Sequence, residues 1–142
     1  MGPHRVADRE PGVAAHKPSG SAARMRIVKA YPPNYPAIAR AFNPGPGVVF
    51  AYGHVIFAPH GRVLSREIVA HEELHGERQL RLGVEDWWAR YIASPEFRFL
   101  EELLAHQAEY QALAATSGSP ARRARTLQGV ATKLAAPLYG SL

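Results

Sequence analysis

His71-Glu72-Glu73-Leu74-His75 places two imidazoles four residues apart, with a carboxylate directly after the first. On a helix that spacing stacks both rings on one face, one turn apart, where they can share a cation. Glu72 falls about 100° round the same helix, within reach of a water on that cation without ligating it. The chemistry is metal-assisted hydrolysis: the metal lowers the water's pKa toward ~7, and Glu72 passes its proton to a leaving amine. The bland alternative is an amphipathic helix carrying two satisfied core histidines.

Two histidines need a third protein ligand. The stretch has no H-E-x-x-H-x-x-G-x-x-H continuation, because Arg78 and Arg81 stand at the later positions. The third ligand is therefore expected further along the chain. Phe99, Glu102, His106, Glu109 and Leu113 form one stripe at helical spacing. Glu102 is the preferred ligand, since Ala105 leaves room for a close helix crossing. Glu101 is expected to point elsewhere and be solvated. His106 and Glu109 stand as groups supporting the ligands or as alternatives to Glu102, and Tyr110, Tyr91 and His106 as candidate transition-state donors.

These residues need elements to position them. Arg26 to Ala30 reads as a short first strand, stopped by Pro32 and Pro33; Pro36 suits the first turn of a helix reaching Phe42. Val48 to Tyr52 and Val55 to Ala58 flank Gly53-His54 as a hairpin, with Gly53 free to take positive φ. Ser65 caps a helix over Arg66 to Leu82 that carries the histidines, Gly83 closes it, and Gly76 interrupts it at a cost of roughly 1 kcal/mol. Val84 to Ile92 forms a short helix with Trp87, Trp88 and Tyr91, most of that cluster being core. Ser94 and Pro95 start a helix to about Ala115 with Leu100, Leu103 and Leu104 on a core flank, and a weaker basic helix follows over Ala121 to Ala135. The fold class expected is α+β: a short β-sheet with an edge hairpin, then a metal-binding helix and further helices.

Composition narrows the alternatives. The 142 residues include no cysteine, which removes disulfides, thiolate zinc sites and cysteine nucleophiles together. The net charge of +5 is uneven: residues 1–24 hold four basic and two acidic side chains, residues 117–142 four basic and none acidic. Residues 25–116 are left with nine basic and ten acidic side chains. Basic ends of this kind read as solvated tails, so a nucleic-acid partner is not expected. Residues 1–24 read as disordered, 25–116 as the domain, and 117–142 as a basic, partly helical segment. With neither an apolar run for a membrane helix nor a signal-like start, the expected address is the cytoplasm. His54 and His60 read as solvated turn residues.

His71-Glu72-x-x-His75 followed by Glu102-x-x-Ala105 on a later helix resembles the gluzincin metallopeptidases, over roughly Val48 to Ala115. The resemblance implies one zinc ion on His71, His75 and Glu102, with Glu72 as general base. It also implies an edge strand presenting an extended peptide or protein substrate, here Val55, Ile56 and Phe57. Phe50-x-Tyr52-Gly53, Trp87-Trp88-x-x-Tyr91 and Glu101-Glu102-x-x-Ala105-His106-x-x-Glu109-Tyr110 are also similar to small phage- and prophage-encoded proteins, loosely as far as Leu138-Tyr139-Gly140. One departure is plain: four residues after the third ligand, gluzincins carry an acidic residue or Asn, and this chain has His106. The function expected is a minimal zinc-dependent peptide-bond hydrolase. The alternative is a non-catalytic, metal-stabilised phage or prophage module with a phage or host protein partner.

Overall fold

The structure is a computed structural model and describes residues 25–116 and 120–134. The tail expected over 1–24 and the last residues of the C-terminal segment lie outside the described residues. Three strands and five helices follow in order: β1 (Arg26–Val28), α1 (Tyr35–Phe42), β2 (Phe50–Tyr52), β3 (Val55–Phe57), α2 (Arg66–Leu82), α3 (Val84–Ala93), α4 (Pro95–Thr116) and α5 (Pro120–Leu134). The class is α+β, as expected.

The helix ends follow local chemistry. Ser65 accepts a hydrogen bond from the Ile68 backbone at the start of α2, and Gly83, at φ 91°, ends it. Ser94 accepts one from the Phe97 backbone, with Pro95 in the first turn of α4. Gly53 takes φ 59° in the β2–β3 turn.

The sheet order is β1-β3-β2. β3 pairs in parallel with β1, Ile27 opposite Ile56, and antiparallel with β2, Ala51 opposite Ile56. This corrects one expectation: Val55, Ile56 and Phe57 form the central strand, not an edge. The segment before α1 adds β1 along the far side of β3, so β2 becomes the edge facing the helices. Ile38, Phe50, Trp87 and Trp88 make the buried core, with Tyr35, Phe42, Tyr52, Phe57, Val84, Tyr91, Ile92 and Phe97 packed round it.

α2 is fastened to the hairpin at two points. Gln79, fully buried, accepts the Gly53 N–H at 2.8 Å and donates to the Ala51 carbonyl at 2.9 Å. One side chain thus satisfies two backbone groups of the hairpin. Gly76 is the second point, because a Cβ there would lie 2.6 Å from the Gly53 carbonyl oxygen and 2.9 Å from Met25. The helix accepts a poor helix former so that backbone can meet backbone.

Two expectations about α4 are corrected. Glu101 is buried (1 % exposed), while Leu100 is 58 % exposed and Leu104 also lies out. The cause is that α4 is gripped by both α2 and α3, which rotates the covered arc away from the leucines. Among the described residues no helix is long and apolar enough to cross a membrane.

Helix propensity alone favours Gly76→Ala by roughly 1 kcal/mol. The close approach of Gly53 reverses the sign: we expect Gly76→Ala to destabilise by about 1–3 kcal/mol, read as a lower denaturation midpoint. An unchanged or raised midpoint would contradict the packing of α2 on the hairpin.

Candidate metal centre

The α2–α4 contact is the most extensive between any two elements, and the candidate site lies in it. His71 and His75, one turn apart on α2, bring their Nε2 atoms to 3.2 Å. Glu102 reaches both from α4: Oε1 is 3.0 Å from His75 Nε2 and Oε2 is 3.3 Å from His71 Nε2. Bonds of about 2.0–2.1 Å in a tetrahedral zinc site give ligand–ligand edges of roughly 3.3–3.4 Å. The three predicted ligands make contacts of 3.0–3.3 Å, close to such edges, with His75 and His71 on different oxygens of Glu102.

A second set overlaps the first. His71, Glu102 and His106 each offer a donor, all within 4.8 Å of one another, and could hold a metal ion. The His75 set is the tighter, since His106 Nε2 is 3.7 Å from Glu102 Oε2.

Neighbouring groups aim these donors. The Nδ1–H groups of His71 and His106 both donate to Glu109 Oε2, at 3.1 and 2.8 Å. An ionised carboxylate only accepts, so both imidazoles carry hydrogen on Nδ1 and turn Nε2 toward Glu102. The Tyr91 hydroxyl donates to Glu102 Oε1 at 2.6 Å. Tyr91 is itself fixed by stacking on Trp87, centroids 4.8 Å apart, and by Arg98, whose guanidinium donates to the Tyr91 carbonyl at 2.7 Å. Glu102 Oε2, His106 Nε2 and His75 Nδ1 are buried without an aligned hydrogen-bond partner among the described residues. The 3.3 Å contact of Glu102 Oε2 with His71 is thus an off-axis electrostatic contact. Two of these orphaned atoms, Glu102 Oε2 and His106 Nε2, face each other, and a cation between them removes the cost of burying them unsatisfied.

The electrostatics agree. Burial alone would lower the His71 pKa, but the neighbouring carboxylates of Glu102 and Glu109, with Glu72 beside them, outweigh it and push it up to about 10. Burial likewise opposes ionisation of Glu102, yet His75 and His71 hold its carboxyl well below the usual range. Glu72 goes the other way: burial raises it, against the pull of both histidines and of a hydrogen bond from the Ala51 backbone.

A pocket of about 410 Å³ opens over this centre. His71, Glu72, His75, Glu102, His106 and Glu109 line it on one side, and Ile38, Phe42, Val48, Phe50 and Trp88 give it an apolar side. Tyr110, Val55, Ile56, Phe57, His54 and His60 are not among its lining residues. Of the residues singled out from the sequence, those on α2 and α4 converge, apart from Tyr110, and those on β3 do not.

Several contributors escaped sequence reading. Glu101 accepts from Arg78 Nε at 2.6 Å and Trp87 Nε1 at 3.0 Å, joining α2, α3 and α4 beside the site. Gln79 continues the 71, 75 series by four, a signal that was present. Nothing local marks the Arg78–Glu101 pair. Comparison with known protein families, curated proteins and solved structures returns no match to the chain.

Because His71 is protonated at neutral pH, an incoming metal must displace that proton. Metal affinity should therefore rise with pH through neutrality toward about 10. Titration calorimetry at pH 7 in buffers of differing protonation enthalpy should show about one proton released per metal from this group. Binding with no proton release and no pH dependence would contradict the geometry at His71.

Proposed function

We propose that the chain is a zinc-dependent peptide-bond hydrolase of minimal gluzincin type, with His71, His75 and Glu102 as metal ligands and Glu72 as general base. The observation that carries this reading is the meeting of two Nε2 atoms and one carboxylate at 3.0–3.3 Å from two separate helices, with a buried carboxylate beside them. When bound there, zinc supplies Lewis-acid polarisation of a carbonyl and of a water.

The chain's own residues supply the rest. Glu72 sits in the pocket wall, held by the Ala51 backbone, with its proton affinity raised by burial. It accepts a proton from the attacking water and hands it to the nitrogen of the breaking amide bond. Glu109 fixes the His71 ring in the manner of a carboxylate–histidine–metal relay. In gluzincins that acidic partner lies four residues after the third ligand; here His106 holds that position and Glu109, nearly one turn on, takes the role.

The substrate edge is assigned to the segment just before β2, because β2 itself is covered by α2. The outward backbone groups of β2 at Ala51 are taken by Glu72 and Gln79. Val48 and Val49, in the preceding segment, line the pocket and offer the edge for an extended peptide. The apolar wall of Ile38, Phe42 and Trp88 suits a hydrophobic side chain next to the scissile bond.

Glu72→Gln tests the assignment. Zinc content should stay at the wild-type level while peptide cleavage falls by roughly 10²–10⁴-fold. Cleavage undiminished by Glu72→Gln would contradict the base. Absence of cleavage of any peptide by wild type, together with a lower melting temperature for His71→Ala, would favour the non-catalytic, metal-stabilised module.

A further inference from the structure

We propose that His106 Nε2 is a fourth protein donor to the cation at this centre, so that the resting site carries three imidazoles and one carboxylate. This rests on the metal reading above and adds a regulatory property to it: the centre is closed until His106 lets go.

Four observations converge on His106. The residue is 2 % exposed and its Nε2 is buried with no hydrogen-bond partner among the described residues. Its Nδ1–H is spent on Glu109 Oε2 at 2.8 Å, which leaves the Nε2 lone pair as the reactive end of the ring. That lone pair faces Glu102 Oε2 at 3.7 Å, and the ring lies edge-on to His71 with centroids 4.6 Å apart. One donor each from His71, Glu102 and His106 falls within 4.8 Å of the others. Two lone-pair atoms facing each other in a buried site repel unless a positive charge lies between them. A shared cation satisfies Glu102 Oε2 and His106 Nε2 together, and no other group among the described residues does so.

The consequence concerns access. A catalytic zinc site keeps one position for water, whereas a site with four protein ligands is closed. His106 makes the longest of the three histidine contacts with Glu102, 3.7 Å against 3.3 and 3.0 Å, and stands in the pocket wall. It is therefore the one that an entering substrate displaces, while Glu109 keeps its hydrogen bond to His71. The hydrolase is latent at rest and opens on binding a segment long enough to move His106.

X-ray absorption on the zinc-loaded wild-type protein counts imidazole rings directly. Three imidazoles and one oxygen at about 2.0–2.1 Å are expected. Two imidazoles would overturn the proposal and leave the three-ligand reading standing; no bound zinc would overturn both. Cobalt-loaded protein gives a second readout. His106→Ala should change the visible d–d bands and weaken Co²⁺ binding by about tenfold or more, and added imidazole should restore the wild-type bands. Identical bands and affinity in a folded His106→Ala protein would also overturn it.

Discussion

The α2–α4 seam buries Glu72, Glu101, Glu102 and Glu109 within a few turns of helix, and every other feature of the domain answers to that constraint. A buried carboxylate is tolerated only beside a positive charge and with its lone pairs satisfied. Arg78 and Trp87 serve Glu101. Glu102 and Glu109 converge instead on histidines, and His71 holds a proton far above its ordinary range to compensate them. Replacing that proton by a divalent cation puts more positive charge among the same oxygens and satisfies Glu102 Oε2 as well.

Holding this cluster together requires a rigid frame. The single-residue staple of Gln79 and the bare backbone at Gly76 press α2 against the hairpin. Ser94 and Pro95 set the start of α4, and the Arg78–Glu101 pair fixes its register against α2. Trp87 links the two halves, stacking on Tyr91 and donating to Glu101. Tyr91 in turn orients Glu102. The aromatic cluster is thus core packing at Trp87 and Trp88, and part of the site at Tyr91.

What could be read in advance was local. The two histidines, Ser65, Gly83, Ser94 and Pro95 announce their helices by spacing and capping, and the observed ends of α2 match the expected ones. The stripe of Glu102, His106 and Glu109 was legible because helical periodicity puts those residues on one face. Pairings set by distant chain segments were not legible. The strand before α1 attaches to β3, which makes β3 central. Glu101 is buried because α3 covers a second arc of α4, which a single-stripe reading leaves to solvent. Gly76 read as a flaw in a helix, and only the carbonyl of Gly53 explains it. The carboxylate that orients the His71 ring is Glu109, three residues past His106, and only the crossing of α4 on α2 brings the two together.

Zinc stoichiometry of the purified 142-residue chain, wild type against Glu102→Ala and Glu101→Gln, reaches the central claim most directly. One zinc per folded chain is expected for wild type and for Glu101→Gln, whose carboxylate faces Arg78, and a marked loss for Glu102→Ala. Zinc retained in full by Glu102→Ala, or none bound by wild type, would contradict the metal centre.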